Sequence, residues 1–84
     1  MVLTHKEIRY LDLNSNVLTD ITVALNFEHL VSLNASKNQV PSLEPFNNAD
    51  KLKELQFLNL SGNKIQILTN VALPVLRKLS LNEN

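Results

Sequence analysis

The sequence predicts an α/β coil in which short parallel strands line a concave face and short helical or 3₁₀ turns line a convex one. Three observations predict it. A nine-residue phrase is written four times, at 8–16, 30–38, 55–63 and 76–84, reading IRYLDLNSN, LVSLNASKN, LQFLNLSGN and LRKLSLNEN. Each copy has apolar residues at positions 1, 4 and 6 and asparagine at position 9, with Ala35 alone softening the pattern. The copies begin 22, 25 and 21 residues apart. A period of this length marks one supersecondary unit that buries its apolar face only by stacking on its neighbours.

The phrase itself gives the strands. Apolar residues at positions 4 and 6 alternate with residues at 3, 5 and 7 that are polar apart from the aromatic entries at position 3, the period-2 pattern of a half-buried strand. Strands are expected over roughly residues 10–14, 32–36, 57–61 and 78–82. The connections have looser apolar spacing. Leu18, Ile21, Leu25 and Phe27 follow the first phrase, and Val40, Leu43, Phe46 and Leu52 the second. These are spacings of helical turns. After the third come Ile65, Leu68, Val71 and Leu73, then Pro74, which has no amide to give a helix interior. The longer second connection holds Pro41, Pro45 and residues 47–50, so its extra length is expected on the convex side, with Asp50 capping a short helix near Lys51.

Asn16, Asn38, Asn63 and Asn84 stand where each strand turns inward. An amide offers two donors and an acceptor, so stacked asparagines can satisfy backbone groups that water does not reach. The leucines are structural in the same sense: each one fully buried contributes about 1.5–3 kcal/mol of transfer free energy. Binding chemistry is therefore sought at positions 3, 5 and 7, which point away from the core. Position 3 carries Tyr10, Ser32, Phe57 and Lys78; position 5 carries Asp12, Asn34, Asn59 and Ser80; position 7 carries Asn14, Ser36, Ser61 and Asn82. Tyr10 and Phe57 have no core to fill there, and large aromatics anchor protein interfaces. The residues expected to meet a protein partner are Tyr10, Asp12, Asn34, Phe57, Asn59 and Lys78. The Asn and Ser rows around them suit hydrogen bonding more than charge attraction.

Composition excludes several functions. Eight basic and eight acidic residues balance, which disfavours a nucleic-acid or anionic-membrane surface. With no cysteine there are no disulfides and no thiolate metal sites, and a secreted repeat domain closed by cysteine-rich ends is disfavoured. The apolar residues never run to the 18 or so needed for a span, and no signal peptide is recognisable. An intracellular, cytoplasmic protein is expected. His5 and His29 are separated in sequence and have no obvious carboxylate partner, and the single glycine, Gly62, rules out a glycine-rich phosphate loop. No enzyme, cofactor, metal or small-molecule substrate is expected. The glycan acceptor patterns at Asn34-Ala35-Ser36 and Asn59-Leu60-Ser61 fall inside expected strands and read as coincidences.

Leu11, Leu13, Asn16, Leu18 and Ile21, then Leu58, Leu60, Asn63, Ile65 and Leu68, resemble the intracellular leucine-rich repeat class with about 22 residues per coil. The apolar pair two and five residues after the asparagine carries the likeness: Leu18 and Ile21, Val40 and Leu43, Ile65 and Leu68. Ala35 and the longer second repeat depart from it. The resemblance implies a leucine-rich repeat solenoid over residues 1–84 with about four repeats. Residues 1–7, which map Leu3 onto Leu25 and His5 onto Phe27, and the last phrase, which stops at Asn84, lead to the expectation that both ends are truncated, the alternative being a short variant capped unconventionally. It further implies a non-enzymatic protein-binding module acting within a larger assembly. The class includes a regulatory subunit of protein phosphatase 1, an outer-arm dynein light chain, a spliceosomal protein and several ciliary proteins. Within it, YLDLNSNVLTDI at 10–21, Leu33-Asn34-Ala35 and Asn38-Gln39-Val40 look most like ciliary radial-spoke proteins. An axonemal assembly subunit or a phosphatase regulatory subunit are the alternative functions this likeness implies.

Overall fold

The computed structural model describes residues 7–47, 51–66 and 68–84. Four strands, β1 (Tyr10–Asp12), β2 (Ser32–Asn34), β3 (Phe57–Asn59) and β4 (Lys78–Ser80), form one parallel sheet in chain order. The register follows the phrase. Leu11 pairs with Leu33, Leu58 and Leu79 in turn, flanked by the row from Tyr10 to Lys78 and the row from Asp12 to Ser80. Alternation explains the orientation: the leucine row faces inward, with Leu33 and Leu58 buried, while position 3 faces out.

The strands are three residues long rather than five, and in the first three a side-chain bond accompanies the ending. The Oδ1 atoms of Asp12, Asn34 and Asn59 accept the backbone N–H two residues on, from Asn14 at 3.0 Å, Ser36 at 3.1 Å and Ser61 at 3.0 Å. This local bond turns the chain out of the extended conformation. One residue later the backbone enters the left-handed region in every phrase, at Ser15 (φ 60), Lys37 (φ 56), Gly62 (φ 69) and Glu83 (φ 62). Neighbouring phrases stay bonded through the turn, for example Ser15 N–H to the Ser36 carbonyl at 3.0 Å and Lys37 N–H to that of Ser61 at 2.8 Å.

Only Gly62 adopts that conformation without a side-chain cost. A Cβ added there would meet Lys37 at 3.5 Å, ordinary contact, so strain alone decides the outcome. Gly62→Ala is expected to lower stability by about 1 kcal/mol, and Lys37→Gly to raise it by no more than that, both read from urea midpoints.

The first two connections carry 3₁₀ turns, Thr22–Asn26 and Glu44–Phe46. Each starts just after a buried apolar residue, Ile21 or Leu43, whose carbonyl accepts the N–H of Ala24 or Phe46. Each is also preceded by a side-chain acceptor: Asp20 Oδ1 takes the Thr22 N–H at 2.8 Å, and Ser42 Oγ takes the Glu44 N–H at 3.0 Å. The third connection has no helical turn among the described residues. At the position of Asp20 and Ser42 the sequence has Ile67, which lacks an acceptor. Leu68, aligned in sequence with Ile21 and Leu43, is 72% exposed instead of buried.

Two further expectations fail or fall outside the described residues. Among the described residues no helix begins near Lys51: the chain bends there, Leu52 takes φ 49 with its side chain buried, and Lys53–Glu54 is a turn. Asp50, Leu3 and His5 lie outside the described residues. The core runs between sheet and connections through Ile21, Leu30, Leu43, Phe46, Leu55, Leu58 and Leu60, with Leu11, Leu13, Leu79 and Leu81 only half-buried beside it.

Three of the four asparagines tie the units together; Asn16 is exposed and, among the described residues, bonds only to the Leu13 and Asn14 carbonyls of its own phrase. Asn38 Nδ2 donates to the carbonyls of Ala35 and Ser36 in its own phrase and to Leu13 in the preceding one at 2.9 Å, while its Oδ1 accepts the Leu18 N–H at 3.0 Å. Asn63 repeats this one unit on, donating to Ala35, Leu60 and Ser61 and accepting from Val40. Asn84 does so again with Leu60, Leu81, Asn82 and Ile65.

Candidate functional site

The outward rows of the sheet form the candidate surface. Tyr10 is 75% and Phe57 42% exposed, both large and apolar on a face that is otherwise polar. They stand in one register row but two strands apart, with Ser32 between them. A shallow groove over β2, β3 and β4 is lined by Ser32, Asn34, Phe57, Asn59, Lys78 and Ser80. It thus gathers four of the six expected residues. Tyr10 and Asp12 lie on β1 outside its lining.

Ser32 and Ser80 join the groove although neither was among the residues singled out from sequence. Row membership was the available signal, since each shares a register row with a chosen residue. Ser36, assigned to the outward row at position 7, is instead buried; its Oγ donates to Asn34 Oδ1 at 2.7 Å. Ser61 keeps the outward role more nearly, donating from Oγ to Asn82 Oδ1 across units at 2.5 Å.

Asp12 is fully exposed and holds its charge firmly. The Asn14 backbone N–H, and then the Asn14 side-chain amide, hold its carboxyl below the ordinary carboxylate range. Asp20 is lowered for the same kind of reason, by the Thr22 backbone N–H. Asp12 is therefore a carboxylate at neutral pH, and Lys78 is the exposed basic residue at the opposite edge of the face.

His29 has a partner that spacing did not suggest. Its Nδ1 contacts the Glu54 carboxylate, with both side chains about half exposed. Each residue immediately precedes the first apolar residue of its phrase, so aligning the phrases one position earlier would have stacked them. The pair faces the groove bounded by Leu25, Glu28, Lys51 and Lys53, away from the sheet face. Among the described residues no group of three or more His, Cys, Asp or Glu is placed to hold a metal ion, and no helix is long and apolar enough to cross a membrane.

Comparison with protein-family models, with curated proteins and with solved structures finds no match to this chain.

Proposed function

We propose that the chain is a leucine-rich repeat solenoid of the intracellular class and serves as a non-enzymatic protein-binding module, with Tyr10, Asp12, Asn34, Phe57, Asn59 and Lys78 meeting the partner on the concave face of the sheet. The observation that carries this reading is the exposure of Tyr10 and Phe57 on a single register row. An exposed aromatic flanked by amides and hydroxyls combines a desolvating anchor with a hydrogen-bonding surround, the usual layout of an interface core and rim. The solenoid reading draws support from parallel strands in chain order, from the matching register and from the asparagine bonds that join each of the last three phrases to the one before it.

Capture experiments with Phe57→Asp test the proposal, with Leu68→Asp as an exposed control on a connection. Proteins held by the wild type from cell extract should be held about tenfold less by Phe57→Asp and equally by Leu68→Asp, quantified by mass spectrometry. A folded Phe57→Asp chain, judged by its urea midpoint, that captures the same proteins at the same level removes the anchor and the proposal with it.

A further inference from the structure

Hydrogen-bonding groups on the sheet face are sorted by sign. Asn34 and Asn59 each commit Oδ1 to a backbone N–H. Backbone nitrogen only donates, so the amide atom facing it is the oxygen, and Nδ2 of each residue is turned away from that bond. Neither Nδ2 has a hydrogen-bond partner among the described residues. Beside them stand the Lys78 ammonium and the hydroxyls of Ser32 and Ser80, all lining the same groove. On β1 the same register row carries Asp12, which spends Oδ1 on the Asn14 amides and keeps Oδ2 as an acceptor. The face is thus an anion over β1, donors over β2 and β3, and a cation over β4, with Phe57 projecting between.

Resting on the reading of this face as a protein-binding surface, we propose that its occupant is an extended protein segment crossing the strands. It places an acidic side chain over Asn59 and Lys78, an apolar one against Phe57 and a basic one over Asp12. Geometry sets the spacing. Strands lie about 4.8 Å apart and the two outward rows about 6.6 Å apart, so Asp12 and Lys78, three strands apart and in different rows, are separated by about 16 Å. An extended segment advances about 13 Å in four residues and returns its side chain to the same side, leaving about 3 Å to the reach of the side chains. The recognised order is therefore basic, any, apolar, any, acidic. A carboxylate at the last position satisfies amide donors and ammonium together; a neutral amide satisfies only the donors, and a cation is repelled by Lys78.

The test uses the full ¹⁵N-labelled chain and the peptide acetyl-Lys-Ser-Leu-Ser-Glu-amide, with a second peptide in which Gln replaces Glu. The side-chain amide signals of Asn34 and Asn59, assigned through Asn34→Ser and Asn59→Ser, should shift on addition of the first peptide. The Gln peptide should bind about fivefold more weakly, and Lys78→Gln should weaken the Glu peptide about fivefold while leaving the Gln peptide unchanged. Equal affinity for the two peptides, with the same signals moving, overturns acidic recognition and leaves the face standing as a binding surface. Shifts confined to residues off the sheet face, or none for either peptide at millimolar concentration, overturn both.

Discussion

Leu43→Ala is expected to cost about 2–5 kcal/mol of stability, whereas Leu68→Ala costs about 0.5 kcal/mol or less. The two residues stand at the same distance from the start of a phrase, thirteen after Leu30 and Leu55. Only the first is enclosed, at 1% exposure against 72%. Leu43 packs with Val40 and Phe46 in a core whose neighbours are held by backbone bonds, so deleting its side chain leaves a cavity that cannot fully collapse. Leu68 already meets water, and its truncation removes little that folding gained. Urea midpoints of the two variants at matched m-values read the difference directly. Losses of similar size would mean that the third connection folds inward as the first two do.

That contrast marks where sequence pattern stops being sufficient. Strand register was legible because the inward leucines, Leu11, Leu33, Leu58 and Leu79, recur at one position of an unbroken phrase and alternate with polar neighbours. A one-residue slip would turn every one of them to solvent. The connections lack such redundancy. A side-chain acceptor, Asp20 or Ser42, stands before the buried Ile21 and Leu43, whereas Ile67 stands before the exposed Leu68, and the apolar spacing alone does not separate the two cases. Strand ends were hidden for a similar reason. Of the four left-handed positions that follow the strands, three hold Ser15, Lys37 and Glu83, none of them the glycine that usually signals a positive φ.

The candidate surface was legible row by row and less so as a site. Period 2 assigns Tyr10, Asp12, Asn34, Phe57, Asn59 and Lys78 to the outward face, yet only the parallel register tells which of them adjoin. Asn34, Phe57, Asn59 and Lys78 share a groove, while β2 separates Tyr10 from Phe57. The burial of Ser36 ran against its polarity. Its hydroxyl and carbonyl are both satisfied internally, by Asn34 Oδ1 and by the amide of Asn38, which removes most of the cost of leaving water.

Asn63→Ala is expected to lower stability by about 3 kcal/mol, against a change within about 0.5 kcal/mol for Asn47→Ala. Asn63 is buried, and one carboxamide serves four backbone groups: it donates to the carbonyls of Ala35 at 3.0 Å, Leu60 at 3.0 Å and Ser61 at 3.4 Å, and accepts from the Val40 N–H at 2.9 Å. Asn47 is exposed. Loss of the Asn63 amide strands the Val40 N–H where water does not replace it, and weakens the bond between the second and third phrases. Asn63→Asp separates the donor role from the acceptor role. Its carboxylate can still accept from Val40 but turns negative oxygen toward three carbonyls, so the folded state favours the protonated acid and the carboxyl is raised above its unfolded value. A raised folded value means the penalty is smallest below the unfolded titration range and grows as pH rises through the folded one. Urea midpoints for Asn63→Asp, compared with Asn63→Ala at each pH, should therefore be closer to wild type at pH 4 than at pH 7. The wild-type Asp12 and Asp20 carboxyls, held below the ordinary range, act in the opposite sense, contributing most above the unfolded range and losing it as pH falls through their folded values. An Asn63→Asp chain as stable as wild type at pH 7 would show that the amide's donors hold nothing, and that the bond from Val40 alone carries the contact.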